Sequence, residues 1–155
     1  MRVRCAMAAA VTVAALSAAG PADAAEQRIA PGRLGFTFFQ FDALGADDST
    51  NASINGEYLR LTNTTDLPRQ LSGWTIPDPT SAGQDFAFPS FVLAPGRSVT
   101  IHSGRGTGTS TDLYWGRGRH VWDNESGFAF LWDQDSRTRD VCDYDSDFDP
   151  GWAGC

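Results

Sequence analysis

Residues 57–76, reading EYLRLTNTTDLPRQLSGWTI, alternate, break and then resume. Leu59 and Leu61 alternate with Tyr58, Arg60 and Thr62, the period of two that gives a strand one buried face. The cluster Asn63-Thr64-Thr65-Asp66 is a polar turn, Pro68 cannot donate to a sheet ladder, and the apolar pattern returns at Leu71, Trp74 and Ile76. Two short strands joined this way cannot bury their apolar faces alone, so the remainder of the chain has to supply strands that pack on them. The phase that Trp74 shares with Ile76 places the tryptophan in the core.

The other strand signals follow in order. Phe36 to Asp42, FTFFQFD, is a first strand with Phe39 and Phe41 on one face and Phe36 and Phe38 on the other. Residues 43–56 form a polar loop. Phe86-Ala87-Phe88 is a short strand ended by Pro89, Leu93-Ala94-Pro95-Gly96 is a turn, and Val99 and Ile101 alternate with Thr100 and His102. Residues 104–124 are glycine-rich and carry Trp115 and Trp122. Gly127 to Asp133 and Arg137 to Asp143 are the two strands of a hairpin turning at residues 134–136.

Beyond the N-terminal leader no stretch has the period of an amphipathic helix. About eight short strands separated by turns make the chain all-β, and the spacing fits a sandwich. The strand ending in Thr-Asn, the polar turn and then Leu-Ser-Gly-Trp-Thr-Ile resembles the lamin tail domain, an immunoglobulin-like β-sandwich. The Phe-Pro strand, the Leu-x-Pro-Gly turn and the valine-bearing strand after the tryptophan strengthen the likeness, which covers residues 36–144. The resemblance implies a binding or scaffolding module of the secreted, single-domain bacterial type, without a catalytic site. It also implies that Ala129 and Leu131 turn inward.

Residues 1–24 read as a secretory signal: Arg2 and Arg4 precede an apolar run from Ala6 to Ala19, and Ala22-Asp23-Ala24 supplies small residues for cleavage. Cys5 lies ahead of that run and leaves with it. The division expected is therefore a signal over 1–24, a lead-in over 25–35, the lamin-tail-like domain over 36–144 and an acidic tail over 145–155. The mature product is secreted and extracellular, with no membrane insertion once the signal is cut. About 130 residues remain, enough for one domain with a real core.

The net charge of −7 opposes nucleic-acid binding, which needs clustered cations. All twelve basic residues are arginine, a pattern read as coding bias. Two cysteines outlast cleavage, Cys142 and Cys155, and in an exported chain an even pair reads as a disulfide.

Signals for chemistry are weak. His102 falls on the outward phase of a strand and His120 in the glycine-rich loop, so both read as surface histidines. Neither GxSxG nor HExxH occurs. Gly104-Arg105-Gly106-Thr107-Gly108 lacks the lysine and helix of a phosphate loop. Glu125 and Asp133 are a conceivable glycosidase pair whose separation the sequence leaves open. Asp47 and Asp48 sit in a loop that turn-forming residues explain without calcium. No metal and no cofactor is expected. The weak metal candidates are Asp143, Asp145, Asp147 and Asp149, which alternate but lack the glycine and glutamate of a calcium loop. Sequons at Asn51, Asn63 and Asn124 matter only in a eukaryotic secretory route.

The candidate ligand surface is aromatic: Trp115, Trp122, Phe128, Phe130 and Trp132. Its partner is an extracellular protein or, alternatively, a cell-wall polysaccharide, since flat rings stack on sugars. With Ala129 and Leu131 inward, Phe128, Phe130 and Trp132 share the outer face of their strand. Unbroken alternation on the partner strand turns Val141 inward and Cys142 outward. A disulfide there draws the tail, with Phe148 and Trp152, across the aromatics as a cover.

Overall fold

A computed structural model describes residues 32–155. The leader at 1–24, with Cys5 and the cleavage point, and most of the lead-in lie outside the described residues. The described chain is largely β, with eleven short strands in three sheets. They are β1 (Leu34–Gln40), β2 (Tyr58–Asn63), β3 (Arg69–Gln70), β4 (Thr75–Ile76), β5 (Phe86–Ala87), β6 (Val92–Leu93), β7 (Ser98–His102), β8 (Asp112–Tyr114), β9 (Ser126–Trp132), β10 (Thr138–Asp145) and β11 (Trp152–Gly154). One sheet runs β11-β1-β2-β7-β8, a second β10-β9-β4-β5, and β3 pairs with β6 alone. A single helical turn, α1 (Asn51–Ile54), interrupts the loop after β1 and is capped by the Thr50 hydroxyl, which accepts from Ser53 N. Among the described residues no helix is long and apolar enough to cross a membrane.

The stretch 57–76 reaches all three sheets, through β2, β3 and β4. In β2 the alternation holds: Leu59, Leu61 and Asn63 are buried while Tyr58, Arg60 and Thr62 are partly exposed. Asn63 then organises the turn. Its amide Nδ2 donates to the carbonyls of Leu67 and Leu93, both at 2.9 Å, and its Oδ1 accepts from the Thr65 backbone N–H and hydroxyl. A fully buried polar side chain with both ends satisfied fixes where the chain leaves the first sheet. Gly73, at φ +78°, makes the left-handed step into β4.

Two expectations about phase are corrected. In β1 the register against β2 slips between Phe36 and Phe38, so Thr37 is an extra residue and the alternation restarts after it. Phe36 thereby joins Phe39 and Phe41 in the core, and Phe38 lies on the other face of the sheet, buried between Tyr58 and Trp152. Trp74, in turn, is not a fully buried tryptophan. It is partly exposed and packs against the rim of the core, because it precedes β4 rather than lying in it. The buried indole belongs to Trp122, only 5% exposed, which meets Phe39 edge-to-face at 4.7 Å.

The core is one cluster fed by both larger sheets: Phe36, Phe39, Leu59, Leu61, Val99 and Ile101 come from the first, Ile76, Phe86, Ala129, Leu131, Cys142 and Tyr144 from the second. Strand β11, from the tail, is the edge of the first sheet, pairing Ala153 with Phe39. The tail from residue 145 is thus partly structural rather than a solvated appendage.

Candidate functional site

The outer face of β9 carries the exposed aromatics. Ala129 and Leu131 are fully buried, so Phe128, Phe130 and Trp132 project to the other side, as strand alternation requires. Their ring centroids are 6.1 and 6.5 Å apart along the strand. Phe128 is 57% exposed, and Val141, directly opposite Phe130 on β10, is 41% exposed. Asp143 stands opposite Phe128, Thr138 opposite Trp132, and Thr75 of β4 flanks Trp132 on its other edge. The result is an apolar ladder with an acidic end: Asp143, Asp145 and Glu125 lie near Phe128 in sequence and register.

The tail does not cover this ladder. The register of β10 against β9 slips between Thr138 and Asp140, so Arg139 is an extra residue and every later side chain changes face. Val141 therefore points outward, and Cys142, 2% exposed, points inward opposite Ala129. The Cys142–Cys155 disulfide forms beneath the sheet. It leads the tail to β1, where Trp152 stacks on Phe38 at 5.6 Å, while Phe148 remains 84% exposed.

Trp115 and Trp122, grouped with the ladder by sequence, are elsewhere and serve packing. They meet edge-to-face at 5.8 Å, and the Trp115 indole N–H donates to the Gln84 carbonyl at 2.8 Å. The Gly-rich loop that carries them has no period from which burial could have been read.

The Glu125 and Asp133 pair is ruled out by placement. The two residues flank opposite ends of β9, so the strand holds them about 25 Å apart at roughly 3.3 Å per residue, well beyond glycosidase spacing. The alternate aspartates of the tail are engaged in turn geometry. Asp145 Oδ1 accepts from Asp147 N, and Asp149 Oδ2 accepts from Asp145 N. Among the described residues no three His, Cys, Asp or Glu side chains converge as a metal site would require. Asp48 accepts from the Thr50 N–H and hydroxyl, an Asx turn leading into α1 that holds its carboxyl below the usual range.

His120 is not a free surface histidine. Its Nδ1 lies 3.0 Å from Oε1 of Glu57, a fully buried carboxylate, and its Nε2 faces the Asp48 carbonyl at 3.1 Å and Asp47 at 3.8 Å. Glu57 Oε2 accepts from Val121 N. Burial pushes Glu57 above the ordinary carboxylate value. For His120, burial acts downward, but the Glu57 charge and the Asp48 carbonyl outweigh it and raise the imidazole. Both ring nitrogens face acceptors, so the cationic form suits this place, and the pair pins the 104–124 loop to the start of β2. His102 is on the outward phase expected, yet Tyr58 and Tyr114 flank its ring and Nδ1 donates to the Asn55 carbonyl. Glu57 falls on the buried phase of Leu59 and Leu61, but His120 lies in an aperiodic loop far along the chain, so no periodic signal links the two.

Comparison with known families finds a match to the Lamin Tail Domain over residues 39–146, more than half of the chain. No curated protein matches the chain.

Proposed function

We propose that this chain, which belongs to the lamin tail domain family, is an exported docking module that holds a partner protein on the outer face of β9. Domains of this family are non-catalytic binding modules. The single observation that carries the choice of surface is the aromatic ladder, with Phe128 and Val141 exposed at neighbouring rungs and Phe130 and Trp132 half-buried beside them. A common core fed by two sheets supports an immunoglobulin-like sandwich as the architecture. Export is supported by the leader-like residues 1–24 and by a disulfide, which persists in oxidising compartments. The complementary surface is apolar at its centre, to pack on Phe128 and Phe130, and basic at the rim that meets Asp143 and Asp145.

The ladder also supports a second reading. Rings about 6 Å apart along one strand offer successive stacking platforms, as a polysaccharide chain would use. Retention of proteins and of insoluble cell-wall polysaccharide by the immobilised domain tests both. A Phe128→Ala, Phe130→Ala double variant is expected to lose the retained species; retention unchanged by that variant removes the ladder as the docking face.

A further inference from the structure

The chain brings three arginines together at a place that no sequence pattern marks. Arg33 enters just before β1, Arg69 lies in β3, and Arg139 is the bulge residue of β10; with Trp74 and Thr65 they line one cleft of about 210 Å³. In a protein of net charge −7, three cations with no acidic residue in the lining form a local exception. At physiological salt the screening length is about 8 Å, so a ligand inside the cleft senses these arginines more than the distant acids.

The neighbouring carboxylates only partly compensate them. Asp140 holds Arg33 at 3.1 Å, and its other oxygen already accepts from Phe36 N at 2.6 Å. Asp133 reaches Arg139 only at 3.7 Å, through Oδ2, while its Oδ1 accepts from the N–H groups of Asp135 and Arg137. Among the described residues Arg69 is held through its Nε, which donates to the Thr65 hydroxyl at 3.3 Å. That anchor orients the guanidinium and leaves its terminal nitrogens to an incoming anion. Planar guanidinium forks match the two oxygens of a carboxylate. Beside them, the partly exposed indole of Trp74 gives a flat ring something to stack on.

We infer that this cleft binds a carboxylate-bearing sugar, its acid group taken by Arg69 and Arg139 and its ring lying against Trp74. The volume is below the roughly 300–1,000 Å³ of a site for a drug-sized ligand, so it admits one ring at a time. The indole wall separates this reading from an acidic peptide, because an Asp or Glu side chain brings a carboxylate without a ring to stack. The inference does not depend on the ladder of β9, which serves a different ligand on a different set of residues.

The test titrates the full chain with a trisaccharide of galacturonic acid, following the indole N–H resonance of Trp74 and the guanidinium resonances. Saturable shifts are expected at Trp74. The fully methyl-esterified trisaccharide, Arg69→Gln and Arg139→Gln should each weaken binding about ten-fold or more, as loss of a charge-assisted hydrogen bond does. Arg69→Lys, which keeps the charge and loses the fork, should fall between. Phe128→Ala should leave this titration unchanged even if it abolishes partner retention, which keeps the two proposals separable. Equal affinity for the ester, or wild-type affinity in both glutamine variants with native thermal melts, overturns the site. A glutamate tripeptide or inorganic phosphate binding as tightly as the trisaccharide overturns the sugar assignment.

Discussion

Cys142 faces Ala129 across the β9–β10 pair, and both side chains point into the core. This one register relationship decides what the C-terminal tail does. Because the cysteine is on the inner side, its disulfide to Cys155 carries residues 152–154 to the edge of β1, where they complete the first sheet, and leaves the aromatic face of β9 open. A free, unpaired edge on β1 would be a template for association with another chain.

Reducing the disulfide, or replacing it with Cys142→Ala and Cys155→Ala, is expected to cost about 3 kcal/mol, the chain-entropy value for a loop of this length. The sequence separation is 13 residues. Hydrogen exchange on the β11 side of β1 should accelerate more than exchange on its β2 side. Urea midpoints with and without reductant, together with the exchange pattern, check both parts; uniform acceleration would show that the tail does not act as an edge strand.

Trp122→Ala should destabilise by about 3 to 5 kcal/mol, the range for truncating a buried aromatic. It removes the edge-to-face contacts with Phe39 and Trp115. Trp74→Ala should cost roughly half of that or less, since the indole is partly exposed at the core rim and loses less burial. Denaturant midpoints of the two variants rank them. The reverse order would return Trp74 to the core.

Where a strand ran without interruption, its sequence showed its faces. Leu59 and Leu61, and Val99 and Ile101, are buried on the phase that their alternation implies, and Ala129 and Leu131 are buried as the family resemblance implies. The family match over residues 39–146 also accords with the ordered motifs from Phe36 to Tyr144. What escaped was set by single extra residues. The bulges at Thr37 and Arg139 carry no glycine or proline to mark them, yet each reverses the face of every residue beyond it. Those bulges put Phe36 on the face of Phe39 and Cys142 on the inner face, against strict alternation. The arginine cleft and the Glu57–His120 pair escaped for a different reason: topology, not local pattern, brings their members together.

Asn63 should tolerate no substitution. Asn63→Ala removes the donor to the Leu93 carbonyl and the acceptor of the Thr65 N–H, while the Thr65 hydroxyl keeps the Leu67 carbonyl, at about 1–3 kcal/mol for each group left unsatisfied. Asn63→Asp should also destabilise, because a carboxylate would replace the Nδ2 donor and face two carbonyl oxygens. Thermal unfolding of both variants tests this. A melting temperature within a degree or two of wild type for Asn63→Asp would show that the turn does not depend on the amide's two-sided bonding.

The stability of the protein should decline as pH rises above neutrality, and His120 should account for the slope. In the folded chain Glu57 is raised above its ordinary 4.5, by burial, and His120 above its ordinary 6.5, where the Glu57 charge and the Asp48 carbonyl overcome desolvation. Both groups therefore hold their protons more tightly folded than unfolded, so the folded state binds more protons and stability falls with rising pH. For His120 the stabilisation is fully present below pH 6.5 and is lost as pH passes through the raised folded value. Above it, a neutral imidazole leaves the Glu57 carboxylate buried without its cation. Among the described residues little else interferes in this window: the chain has no lysine, Cys142 and Cys155 are bonded, and Tyr144 is pushed up to about 12 by burial. Urea midpoints measured from pH 6 to 9 should fall for the wild type and fall less for His120→Gln, with His102 present in both. Glu57→Gln should flatten the profile as well, since it removes the charge that raises the imidazole. Parallel profiles for the wild type and His120→Gln would show that the pair does not govern the alkaline limb.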